Sequence, residues 1–195
     1  VLKGGKHGPG LGSSCANGFT DMKTTKKYCD GTSIAKNINI TGGDLKAYAN
    51  DAGAGIGGGY STSVDGIYIS GTARVYAEGS NNSPGIGCGG NIDNTHIYND
   101  DGSVPYATNI NIEGGDTHVT AKGYQSTVQG EHDSPGIGAG WCDVVFDPNN
   151  PSVRVDPRYG EIKIDKPDYQ GIVASPLVQY QGYIKYGKDA TDYEY

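Results

Sequence analysis

Isoleucine alternates with polar residues in three short runs, Ile38-Asn39-Ile40, Ile67-Tyr68-Ile69 and Ile110-Asn111-Ile112. A period of two is what a strand with one buried face requires. A glycine-containing turn follows each run (GGD, GTA and GGD). A second alternation comes next: Leu45, Ala47, Ala49; then Val75, Ala77; then Val119, Ala121. A third apolar position sits in a glycine corner, Gly/Ser–Ala/Pro–Gly–Ile/Leu–Gly, at Leu11, Ile56, Ile86 and Ile137. Each unit therefore reads as three short strands joined by tight turns.

The units repeat in order. INITGGDLKAYANDAGAGIGGG begins at Ile38, IYISGTARVYAEGSNNSPGIGCGG at Ile67 and INIEGGDTHVTAKG at Ile110, the last reaching SPGIGAG after a longer loop. The starts lie 29 and 43 residues apart, so the second interval is one period plus a 14-residue insertion within NIDNTHIYNDDGSVPYATN. A further excess of residues spans Gln125 to His132. A partial copy, GPGLGSS at Gly8 to Ser14, lacks its Ile-x-Ile half. Self-similarity at this period predicts a stacked repeat. The expected fold is all-β: a parallel β-solenoid, or β-helix, with coils of about 29 residues and Leu11, Ile56, Ile86 and Ile137 stacked inward. Leucine-rich repeats would show L-x-x-L-x-L spacing, which is absent. Residues 1–142 read as glycine-rich solenoid repeats. Residues 143–195 read as C-terminal strands, near Val144–Phe146, Val153–Val155 and Glu161–Ile164, with a Tyr-rich capping tail. Glu161-Ile-Lys-Ile resembles the start of another coil.

Composition narrows the class. The 195 residues include 33 glycines, more than twice the average share, which argues against helices because glycine costs about 1 kcal/mol per helical position. Fifteen tyrosines and regular Ile/Val placement argue against disorder. A net charge of −7 disfavours nucleic acid, which needs a basic face. No apolar run approaches the ~20 residues of a membrane span.

Ile-x-Ile-x-Gly-Gly followed by Gly-Ala-Gly-Ile-Gly-Gly-Gly resembles the glycine-rich "AGIGGG" repeats of large bacterial cell-surface proteins, over roughly residues 8 to 140. The resemblance implies a parallel β-helix of adhesion or carbohydrate-binding type. It supplies no catalytic residues. The cysteines, the long insertion and the C-terminal third depart from the pattern.

Four aromatic residues are candidate sugar-stacking groups: Tyr48 and Tyr76, expected at matching positions of successive coils with Thr120 next, and Tyr60 and Trp141, which each follow a glycine corner. The competing reading is that these rings cover the glycine-rich face or pack under loops. Asp51, Asn81, Asn82 and Asp133 precede the corner in three coils and should line up. With turn carbonyls they form the oxygen-rich set that Ca²⁺ takes; Asx residues that bond their own turns are the alternative. Asp143, Asp147, Asp156, Arg154 and Arg158 cluster after the last corner, as an acid/base pair or uronate site would need, yet carry no catalytic signature and also read as solvated turn residues. Of His7, His96, His118 and His132, only His118 falls on a predicted strand. GAGIGGG lacks GK[ST] and a following helix, so it is not a phosphate loop. Asn39 and Asn81 open formal glycosylation sequons.

The four cysteines lack CxxC spacing, which makes zinc improbable. An even count leans towards two disulfides in an oxidising compartment, against buried free thiols. Cys88 and Cys142 follow the corners of neighbouring coils and are the expected pair, leaving Cys15 with Cys29. The start at Val1 reads as a mature or excised terminus, and the incomplete first coil is expected to need a cover: the tail, a neighbouring domain or a second copy joined head to tail. The expected function is an extracellular or cell-surface module for adhesion or carbohydrate binding. A structural subunit of a filament or surface layer and a β-helical polysaccharide lyase or hydrolase are the alternatives.

Overall fold

The computed structural model describes residues 1–14, 34–60, 62–90, 106–113, 116–124 and 134–140, together with the backbone of strands lying between 145 and 175. The chain winds through short strands that form three all-parallel sheets. The first, the Ile-x-Ile sheet, holds β3 (Ile34–Ile40), β6 (Ser63–Ile69) and β9 (Tyr106–Ile112). The second, the tyrosine sheet, holds β1 (Leu2–Lys3), β4 (Asp44–Tyr48), β7 (Arg74–Glu78) and β10 (His118–Lys122). The third, the glycine sheet, holds β2 (Leu11–Ser13), β5 (Ile56–Gly58), β8 (Ile86–Cys88) and β11 (Ile137–Ala139). One strand from each sheet makes a coil, as expected for a parallel β-helix.

Register follows the repeat. Ile38 pairs with Ile67 and Ile67 with Ile110, while Ile40, Ile69 and Ile112 form the parallel column. Leu11, Ile56, Ile86 and Ile137 stack in the glycine sheet as expected. These residues, with Val75, Val119 and the alanines Ala47, Ala77 and Ala121, make a single core. Burying each Ile contributes about 1.5–3 kcal/mol, and the columns repeat that gain in every coil.

The strands of the Ile-x-Ile sheet begin earlier than the alternation indicates, because each carries a kink. Asn37, Gly66 and Asn109 occupy corresponding positions with φ of 53°, 92° and 54°. Asn and Gly are the residue types that tolerate this left-handed conformation. The kink resets the alternation, so that Ala35, Val64 and Ala107 also reach the core.

Past the third coil, β12 (Val145–Asp147) and β13 (Asn150–Val155) pair antiparallel, outside the coil pattern. The sheets then resume. β14 (Arg158–Tyr159) and β15 (Ile162–Ile164) both lie parallel on β9, with Ile162 opposite Ile110 and Ile164 opposite Ile112. β16 (Ile172–Ser175) lies parallel on β10. Glu161-Ile-Lys-Ile thus does begin another turn of the pattern, with strands added to the Ile-x-Ile and tyrosine sheets. The Gln179–Tyr195 tail and both loop insertions lie outside the described residues.

Candidate binding surface

Two regions concentrate polar and aromatic chemistry: the glycine corner and the outward face of the tyrosine sheet. The corner is almost wholly structural. Residues 52–60 and 82–90 are buried without interruption. Gly12, Gly57, Gly87 and Gly138 have φ between 129° and 143°, and a Cβ on any of the first three would fall onto the next coil's glycine carbonyl. The glycine before the isoleucine has a separate reason. A Cβ at Gly10, Gly55 or Gly85 would lie 2.5–2.6 Å from the backbone nitrogen of Tyr48, Glu78 or Lys122 respectively. Bare backbone at these positions lets the corner press against the ends of the tyrosine-sheet strands.

Tyr60 belongs to this corner. It is 1 % exposed and meets His7 edge-on, ring centroids 5.6 Å apart at 70°. It is therefore not a surface platform, because the Gly-Gly that precedes it folds the ring beneath the first coil. The expected Asx ladder is partly assembled. Asn81 Nδ2 donates to Asp51 Oδ1 at 3.1 Å, and His7 Nδ1 stands 2.9 Å from Asp51 Oδ2. Residues of three successive coils thereby meet at one carboxylate, both of whose oxygens face protein groups. Asn82 is buried with a left-handed backbone, φ 58°, and Asp133 lies outside the described residues. Among the described residues there is no cluster of three or more His, Cys, Asp or Glu side chains able to hold a metal.

Cys88 corrects the expected disulfide. It is a free thiol, fully buried and part of the core, directed inward beside Ala139 of the next coil. Alternation explains this: with Ile86 inward and Gly87 outward, residue 88 must return to the interior. Burial pushes its pKa up to about 12, only partly offset by backbone hydrogen bonding. Cys15, Cys29 and Cys142 lie outside the described residues.

The outward face of the tyrosine sheet is the more open of the two regions. Leu45, Ala47, Val75, Ala77, Val119 and Ala121 point inward, so Asp44, Lys46, Tyr48, Arg74, Tyr76, Glu78, His118, Thr120 and Lys122 point outward. The tyrosines are not at matching positions. Tyr48 lies opposite Glu78, and Tyr76 lies opposite Lys46 and Thr120. Tyr76 follows its Ile-x-Ile start by nine residues where Tyr48 follows by ten, and the turn before β7 has one residue more than the turn before β4, Ser70–Ala73 against Thr41–Gly43; together these set Tyr76 two positions from the Tyr48 row. The rings nonetheless meet on the diagonal, with centroids 5.5 Å apart and planes tilted by 43°. Diagonal neighbours on one face of a sheet are within reach of aromatic side chains.

Charged groups complete this patch. The Tyr76 hydroxyl donates to Glu78 Oε2, and Lys122 Nζ sits 5.3 Å from the Tyr76 ring centroid. Partial burial, then the hydrogen bond to Glu78, raise the Tyr76 pKa. The Lys122 pKa is also raised, chiefly by its interaction with the Tyr76 hydroxyl. His118, on the strand where its alternation placed it, is exposed at the patch edge. Trp141 lies outside the described residues. Tyr68, 39 % exposed on the Ile-x-Ile sheet, is an outward ring not anticipated as a binding residue. Its place at the polar position between Ile67 and Ile69 was the available signal.

Of the acid–arginine cluster, Asp147 ends β12, Arg154 lies in β13 and Arg158 opens β14; Asp143 and Asp156 lie outside the described residues. Among the described residues no helix is long and apolar enough to cross a membrane.

Fold and repeat define a parallel β-helix. Comparison with protein families agrees: residues 38–60, 67–90 and 110–141 match the beta helix repeat. No curated protein and no solved structure matches the chain.

Proposed function

We propose that this protein is an extracellular or cell-surface module that binds carbohydrate through the outward face of its tyrosine sheet, in the manner implied by its resemblance to glycine-rich bacterial surface repeats. The supporting observation is the Tyr48–Tyr76 pair. Two half-buried rings from successive coils form a ledge whose rim carries hydroxyl, carboxylate and ammonium groups. Apolar ring faces stack on the C–H faces of a sugar while the polar rim bonds its hydroxyls. The ledge is set on rigid strands, which lowers the ordering cost of binding. A glycan array followed by titration calorimetry tests this. The Tyr48→Ala/Tyr76→Ala double variant, checked for an unchanged circular dichroism spectrum, is expected to bind about tenfold or more weakly. Undiminished binding by that variant, or no glycan bound by the native chain, overturns the reading.

A structural role in a filament rests on a different observation. Among the described residues, β3 is the outermost strand of the Ile-x-Ile sheet, with one edge free of strand partners. Such an edge accepts a strand from a second copy. Concentration-dependent fibres under the electron microscope are the expected sign.

A further inference from the structure

The tyrosine sheet is basic on its outward face although the chain as a whole is acidic. The chain carries −7, yet the outward positions of β1, β4, β7 and β10 hold Lys3, Lys46, Arg74 and Lys122 against two carboxylates, Asp44 and Glu78. Register brings the charges together around the rings. Lys3, Tyr48, Glu78 and Lys122 form one row across the coils, and Lys46, Tyr76 and Thr120 form the next. One carboxylate, Glu78, is engaged by the Tyr76 hydroxyl. Among the described residues no carboxylate lies within ion-pairing distance of any of the four cations. Lys3, Lys46, Arg74 and Lys122 are all exposed.

Exposed cations beside stacking rings, with Lys122 engaged by a ring and set opposite Glu78 and with Arg74 set opposite Asp44, fit a ligand that presents apolar faces together with negative charge. We infer that the tyrosine-sheet face takes an anionic polysaccharide, one bearing carboxylate or sulfate groups, lying across the coils with sugars against Tyr48 and Tyr76 and acidic groups at Lys46, Arg74 and Lys122. This inference rests on the carbohydrate-binding reading above and adds the ligand class. Tyr48 and Tyr76 stand on neighbouring strands, about 4.8 Å apart, with their rings in diagonal contact, so they form one stacking ledge flanked by the cations of the same face. Single-stranded nucleic acid shares the combination of rings and negative charge. It is disfavoured, because four cations in a chain of net −7 are few for a polyphosphate.

The experiment is a binding titration of the full chain with four probes: oligogalacturonate (carboxylate), heparin fragments (sulfate), neutral cello- and chito-oligosaccharides, and a single-stranded oligonucleotide. Each is measured at ~50 mM and ~500 mM salt. At least one of the two acidic glycans is expected to bind about tenfold more tightly than the neutral ones and to lose most of that advantage at high salt. The choice between them identifies the acid group. The Lys46→Gln/Arg74→Gln double variant is expected to bind the acidic glycan about fivefold more weakly while leaving affinity for neutral sugars unchanged. Neutral glycans bound as tightly as acidic ones, without salt dependence, would overturn the anionic assignment and leave the carbohydrate reading standing. Tighter binding of the oligonucleotide would overturn the assignment in favour of nucleic acid. No glycan bound in any arm would overturn both readings.

Discussion

The glycine corner and the tyrosine face are built from the same coils but obey opposite rules. At the corner every coil repeats one solution: an inward isoleucine or leucine flanked by glycines, which at Leu11, Ile56 and Ile86 have no room for a side chain. On the tyrosine face the inward residues repeat as Leu45, Val75, Val119 and as Ala47, Ala77, Ala121, while the outward residues change from coil to coil. Tyr48, Glu78 and Lys122 share one row. The contrast separates two jobs. Repetition marks positions where adjacent coils must interlock, and variation marks positions that solvent or a ligand meets. The regions also touch: Gly10, Gly55 and Gly85 press on the backbone of Tyr48, Glu78 and Lys122. The corner thus serves as the rigid backing of the variable face.

The largest way to break this comparison is a methyl group at the corner. Gly87→Ala places a Cβ on the Gly138 carbonyl at a φ of 142°. Overpacking and backbone strain together should cost about 3–5 kcal/mol, read as a fall in the urea midpoint or as failure to fold. Gly5→Ala, where nothing lies within 4 Å, is the control and should stay within about 0.5 kcal/mol. Equal tolerance of both changes would contradict the interlocking role.

Cys88 gives a more gradual effect. Its thiol stays neutral in the folded chain up to about pH 12, whereas its ordinary pKa is 9.0. Below pH 9.0 both states hold the proton and the stabilisation is complete. As the pH climbs from 9.0 towards 12, the unfolded chain gains by ionising and the folded chain does not, so stability falls. Denaturant titrations across that window should show a fall that is smaller in Cys88→Ala. The same burial predicts that a maleimide labels Cys88 at pH 8 only after unfolding. Rapid labelling of Cys88 in the folded chain would refute its placement in the core.

The smallest effect on stability belongs to the face. Tyr76→Ala removes a half-buried outward ring and should shift unfolding by no more than about 1 kcal/mol, while glycan affinity falls. A large loss of stability would make the ring part of the scaffold.

Much of the scaffold was legible in the sequence because interlocking leaves no choice of residue. The Ile-x-Ile runs and the glycine corner pointed to the coils, their period and the Leu11–Ile56–Ile86–Ile137 column. The kinks at Asn37, Gly66 and Asn109 were legible in principle, since residue types suited to a left-handed backbone recur at one position. The surface was harder to read. Tyr76 stands two positions from the row of Tyr48: one is readable by counting, since Tyr48 is ten residues past Ile38 and Tyr76 nine past Ile67, and the other comes from the extra residue in the turn before Arg74, which such a count does not see. Tyr60 looked like a surface ring because it follows a glycine run, but the His7 edge and the first coil bury it. An even cysteine count favours a disulfide at Cys88, but strand alternation through the corner turns this residue into the core.

The most direct test of the division between backing and face is an amide chemical-shift map recorded while an acidic oligosaccharide is titrated into ¹⁵N-labelled protein. The account predicts that the perturbed amides cluster at residues 44–48, 74–78 and 118–122, with residues 34–40 and 63–69 of the Ile-x-Ile sheet unmoved. Shifts centred on Lys36, Tyr68 and the Asn37–Asn109 kinks would place the binding face on the other sheet and contradict it.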